Sequence, residues 1–332
     1  MFFTKKEIDD EKVCKIYNAI FQNSKFPAFN DLICKTGNST YSLINRDNED
    51  TCERLIKIFE IKNPDLFRKK YEQAIRGDGD EEKNMLKLIA SSLCALLFFY
   101  SVSDTNKLVI NLNGNLVTFF DSIFEFKNKV IRKPSNIDIT LIGEDINGNC
   151  VILLLESKLA EYYRDTSIKS SQISNSYLRN KYSFEIYKEN IGYTISKNAT
   201  KFILESQDES YADGIKQLIS HFIGAANLLD KKYSMKNNYN DLELIKNCIE
   251  KNNAKVYLGE ILFDERIGDL LLSSGKTCLE DYITRYKKLQ RVINDKYKSD
   301  RFEMLNDVLL YSMFNNKEFK IEPAIKQFYF WL

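Results

Sequence analysis

The run Val151-Ile152-Leu153-Leu154-Leu155 is apolar throughout and stops on Glu156-Ser157-Lys158. A continuous apolar run of this length reads as a strand covered on both faces, where the usual in-out alternation is lost. The two-residue period of a strand then puts Glu156 and Lys158 on the same face. Charges that leave water at the end of a buried strand need partners, because an unpaired buried charge is strongly destabilising. This chain must therefore build layers around a central strand and surround that strand's C-terminal end with polar groups.

A neighbour for the strand lies just upstream. Asn136-Ile137-Asp138-Ile139-Thr140-Leu141-Ile142 has the composition of a second strand, and the intervening Gly143-Glu144-Asp145-Ile146-Asn147-Gly148-Asn149 is polar, with an Asn-Gly pair. Asn-Gly between two such runs signals an antiparallel hairpin. The pairing brings Asp138 toward Glu156. Two carboxylates at adjacent strand ends suit a hard, oxygen-seeking ion such as Mg²⁺, with Lys158 beside it to orient an attacking water or offset charge on a phosphate.

Asp138 followed eighteen residues later by Glu156-Ser157-Lys158 resembles the signature of the PD-(D/E)xK, or restriction-endonuclease-like, nuclease superfamily. The resemblance extends from about Leu116 to Asp264. It departs from the superfamily name at Ile137, where proline often precedes the aspartate; Pro134 lies nearby. It implies an α/β fold with a mixed sheet flanked by helices, and a Mg²⁺-dependent nuclease in which Mn²⁺ can substitute. Asp138, Glu156 and the Ser157 carbonyl are its implied metal ligands and Lys158 its catalytic lysine. Hydrolysis would use a metal-activated water. The resemblance further suggests a DNA endonuclease of restriction or phage defence, with RNA open as substrate, and cutting of both strands favours a homodimer. The other readings are a nucleic-acid-binding or assembly subunit that keeps the fold without cutting, and a helical interaction module in which Glu-Ser-Lys is coincidental.

Two more residues are candidates for the same site. In Val117 to Lys127 a strand-like alternation sets Phe124 and Phe126 against Glu125 and Lys127. Glu125 is read either as the extra glutamate that relatives carry before the aspartate strand or as the solvated face of an edge strand. Further on, Ile215, Leu218, Ile219, Phe222, Ile223 and Ala226 repeat at helical spacing. Gln217 and His221 share a face of that helix, four residues apart. Gln217 resembles the glutamine that relatives use to steady the site, and His221 reads as a partly buried helical histidine.

His221 is the only histidine, which excludes paired-histidine catalysis and His-rich metal centres. The seven cysteines contain no C-x-x-C and no zinc spacing, and they fit reduced thiols of a cytoplasmic protein. There is no glycine-rich phosphate loop. The N-terminus lacks the apolar stretch of a signal peptide, and the run Leu88 to Val102, broken by two serines, is too short to span a membrane and reads as a buried helix.

A helical region over 1–105, a nuclease core over 106–265 and a helical region over 266–332 follow from these patterns, with a helix expected from Glu81 to Tyr100. Net charge of +1 gives no global attraction to nucleic acid, so contact would rely on local basic surfaces. Arg285, Lys287, Lys288 and Arg291 form one candidate surface, read either as phosphate-binding or as a solvated helix face. The polar stretch Arg164 to Lys181 is a second.

Overall fold

The computed structural model describes residues 33–35, 41–43, 50–76, 85–87, 90–130, 134–159, 212–251, 253–263, 278–296, 299–314 and 319–330. The stretch Arg164 to Lys181 lies outside them. A short antiparallel ladder of β1 (Ile33–Lys35) and β2 (Tyr41–Leu43) interrupts the expected all-helical N-terminal region. The helices α1 (Thr51–Ile58) and α2 (Pro64–Ala74) follow, capped by the side chains of Asp50 and Asn63. In α3 (Ser91–Phe99) every residue from Leu93 to Phe99 is buried, as the apolar run predicts, but the helix starts at Ser91 instead of near Glu81.

The main sheet comprises β3 (Leu108–Leu112), β4 (Asn115–Asn128), β5 (Ser135–Asp145), β6 (Cys150–Lys158), β7 (Lys255–Leu262) and β8 (Phe302–Met304) in that spatial order, with β9 (Leu309–Leu310) also on β7. Strands β3 to β6 form an antiparallel meander; β7 joins β6 in parallel, and β8 and β9 join β7 in parallel. The C-terminal region thus adds strands to the sheet as well as α6 (Cys278–Lys296) and α7 (Pro323–Phe330). The β5–β6 hairpin is the one the Asn-Gly signal predicts. Gly148 turns it at φ +75°, and Asp145 accepts from the amides of Asn147 and Asn149.

Every residue of β6 is buried. Between β6 and β7 the described chain forms α4 (Ala212–Leu229) and α5 (Tyr239–Glu250). The Ser157 hydroxyl meets the Ser91 carbonyl of α3, whereas Glu156 meets His221 of α4. Successive strand residues point to opposite faces, so α3 and α4 cover the two sides of β6. The sheet is therefore mixed, with a helical layer on each face. Gly224 lets α4 approach β4: a Cβ there would sit 2.5 Å from Asn128 Cβ. On the α3 face, Phe98, Phe263, Tyr311 and Tyr329 form an aromatic cluster, with Phe98 edge-on to both tyrosines, that ties the C-terminal helix to the core.

Cys150 and Cys248 are joined in a disulfide with Cα atoms 5.6 Å apart, linking the start of β6 to α5. The expectation of reduced thiols throughout fails for this pair; Cys52 and Cys94 are buried thiols. Among the described residues no helix is long and apolar enough to cross a membrane.

Candidate active site

Strand register brings four acids level with one another. On the β4–β5 ladder Phe124 faces Ile139 and Phe126 faces Ile137, which sets Glu125 against Asp138. On the next ladder Ile139 faces Leu155, so one further step sets Asp138 against Glu156. Glu156 is in register with Glu260 on β7. Neighbouring strands are about 4.8 Å apart, so this row crosses four strands at one end of the hairpin.

Each acid has a different environment. The Asp138 carboxylate caps the strand end, with Oδ2 accepting from the Ser157 amide at 2.8 Å. The Ser157 hydroxyl in turn lies 2.8 Å from the Tyr311 hydroxyl, within hydrogen-bonding distance. Glu156 is 2% exposed and has a cationic or ring donor on each oxygen: Lys158 Nζ lies 2.6 Å from Oε1, and His221 Nε2 lies 2.7 Å from Oε2. Burial favours the neutral acid, but the adjacent Lys158 and His221, with their hydrogen bonds, outweigh it and hold the carboxyl below its ordinary range. Lys158 also donates to Gln217 Oε1 at 2.6 Å. Gln217 is exposed, so the network meets solvent through α4.

The structure thus brings Asp138, Glu156, Ser157, Lys158 and Gln217 to one strand end. Glu125 stands level with them on a stretch of β4 that, among the described residues, pairs with β5 alone, since β3 covers only Asn115–Phe119; it is buried, as is Lys127, and so is not the solvated face of an edge strand. Glu125 adopts φ +50°, a left-handed conformation that costs a non-glycine residue about 1–3 kcal/mol and concentrates at functional positions.

Glu260 is a site acid that the sequence reading passed over inside the apolar strand Lys255 to Phe263. It is fully buried, beside the Tyr282 hydroxyl. Burial, only partly opposed by Lys158, pushes its carboxyl up to about 8. The signal that would have found it is the one that singled out Glu156, a lone acid in an otherwise buried strand. His221, read as a bland helical residue, is 2% exposed and also meets Ser135 Oγ through Nδ1, at 2.6 Å.

The basic segment does not form one face. Arg285 pairs with Asp281 at 3.0 Å and packs over the Tyr282 ring, and Lys287 pairs with Asp307 at 2.5 Å. Lys288 and Arg291 are the two that face solvent. Among the described residues, one group of three metal-ligating side chains converges, Asp50, Cys52 and Glu53. Its acids have other roles: Asp50 caps α1 and Glu53 pairs with Arg68.

No protein-family model matches the chain, and neither a curated protein nor a solved structure matches it.

Proposed function

We propose that the protein is a Mg²⁺-dependent nuclease of the restriction-endonuclease-like type, a DNA endonuclease of restriction or phage defence. The observation that carries this reading is the Lys158 ammonium held between Glu156 and Gln217, at the strand end where Asp138 abuts the Ser157 amide. The element order also supports it: a buried helix, four antiparallel strands, two helices, then a strand parallel to the fourth.

The donor set fits a hard divalent ion. A carboxylate offers two lone-pair sites on each oxygen, and Lys158 and His221 occupy one on each oxygen of Glu156. Asp138, Glu156 and the Ser157 carbonyl would hold the ion, which supplies Lewis acidity and a more acidic bound water. Lys158 contributes a compact positive charge beside the reacting phosphate. Gln217 fixes that ammonium from α4 and, being exposed, marks the side from which a substrate enters. Glu125, level with Asp138, adds negative charge to the cation-binding end of the sheet. A homodimer would provide one such site per strand of a duplex.

One observation favours a second reading, a catalytically silent nucleic-acid-binding subunit. Glu156 is almost fully buried with both oxygens engaged, as in a structural ion-pair network. Incubating the pure protein with plasmid, linear duplex, single-stranded DNA and RNA, each with Mg²⁺, Mn²⁺ or EDTA, separates the two. The nuclease reading expects cleavage of at least one substrate, restricted to the metal arms. Binding without cleavage in every arm would leave the silent subunit.

A further inference from the structure

We propose that His221 is the positioning residue of Glu156, held in place by Ser135. This rests on the reading of Glu156 as a cation ligand. A glutamate has three side-chain torsions, and one at a strand end can swing unless both oxygens are fixed. Lys158 fixes Oε1 from the same strand. His221 fixes Oε2 from α4, on a different element. An ionised carboxylate only accepts, so the His221 Nε2–H is the donor. Ser135 Oγ, on β5, meets the other ring nitrogen and can serve it in either role, since a hydroxyl both donates and accepts. The ring is thus clamped between two strands of the sheet, and all three side chains are buried.

The packing around the ring is consistent with a fixed orientation. Phe222 beside it is fully buried and edge-packed on Phe302, 5.3 Å between centroids. Gly224 seats the same helix against Asn128. With α4 anchored on both sides, a rotation of His221 would break both of its hydrogen bonds inside the core. Partners that orient a metal-ligating side chain typically contribute 10- to 100-fold in metal affinity when removed.

Ser135, His221 and Glu156 also have the connectivity of a serine–histidine–acid triad. Two features weigh against nucleophilic chemistry: Ser135 is buried, and Glu156 shares its charge with Lys158.

The test is calorimetric titration of Mn²⁺ into wild type, His221→Ala, His221→Gln, Ser135→Ala and Glu156→Gln, with melting temperatures for each and a fluorophosphonate label on wild type. His221→Ala is expected to weaken Mn²⁺ binding by about 10- to 100-fold. His221→Gln should recover part of it, because the amide N–H can donate to the same oxygen. Ser135→Ala should weaken binding by a smaller factor, and the label should not attach. Loss of binding in Glu156→Gln with unchanged binding in all three His221 and Ser135 variants overturns the positioning role. Unchanged binding in Glu156→Gln overturns the ligand assignment beneath it. A covalent adduct on Ser135 replaces positioning with nucleophilic catalysis. If His221→Ala does not fold, His221→Gln and Ser135→Ala still decide.

Discussion

Lys158 and Glu156 stand two residues apart on one face of β6, joined at 2.6 Å, with side chains 8% and 2% exposed. Breaking a buried pair by removing one partner strands the other charge and costs about 3–5 kcal/mol. Lys158→Ala is therefore expected to lower stability in urea by about that amount, softened by His221, as well as to abolish cleavage. Adding Glu156→Gln to Lys158→Ala should restore part of the stability, since no charge is left uncompensated. A double-mutant cycle with no coupling would show that the pair is not energetically linked.

Asp138 separates structural from chemical loss. Its Oδ2 accepts from the Ser157 amide, and an asparagine oxygen can do the same. Asp138→Asn should keep the melting temperature close to wild type while abolishing metal-dependent cleavage. Asp138→Ala leaves that amide without its acceptor and should cost about 1–3 kcal/mol in addition. Equal activity in Asp138→Asn and wild type would remove Asp138 from the site.

The two in-register glutamates titrate in opposite directions. For Glu260, burial pushes the folded-state value up to about 8 from an ordinary 4.5. A raised folded value stabilises fully below the unfolded one and is lost as pH rises through the folded one, so this contribution disappears between about pH 4.5 and 8. Glu156 is depressed despite its burial, through Lys158 and His221, so its contribution is present above 4.5 and lost in acid. Glu260→Gln should flatten the decline of melting temperature toward alkaline pH and leave it higher than wild type at pH 9. Parallel curves for mutant and wild type from pH 4 to 9 would contradict this.

On α6 the exposed pair Lys288 and Arg291 is the part able to meet phosphates. Each phosphate contact on duplex DNA contributes about 0.9 to the slope of log K against log salt. Lys288→Gln with Arg291→Gln is expected to reduce that slope in Ca²⁺-supported binding titrations. Arg285→Gln should instead cost about 1 kcal/mol of stability through its contacts to Asp281 and Tyr282, with little change in slope. An unchanged slope in the double variant would assign the face to solvent alone.

Local patterns made much of the site legible. The Asn147-Gly148 turn and the apolar run into Glu156 predict the hairpin and its charged end, and both strands lie where those signals put them. Helical spacing placed Gln217 and His221 on one face, as their contacts with Lys158 and Glu156 require. What could not be read depended on long-range pairing. Glu260 enters only because β7 joins β6 in parallel across more than ninety residues. Arg285 and Lys287 look like a basic stripe until Asp281 and Asp307 are seen to pair with them. Glu125 could be read as solvated because alternation says nothing about what packs over a strand; it is buried although β4 pairs there with β5 alone among the described residues. The Cys150–Cys248 link needed α5 to fold back on β6.

The most direct test of the central claim is the rate of supercoiled plasmid nicking or linearisation by wild type and Glu156→Gln, each in Mg²⁺ and in EDTA. The account expects conversion by wild type in Mg²⁺ only, with at least a hundredfold loss in a folded Glu156→Gln protein, an estimate on the scale of removing one group that stabilises transition-state charge. Conversion by Glu156→Gln at the wild-type rate, or by wild type equally in EDTA, would contradict it.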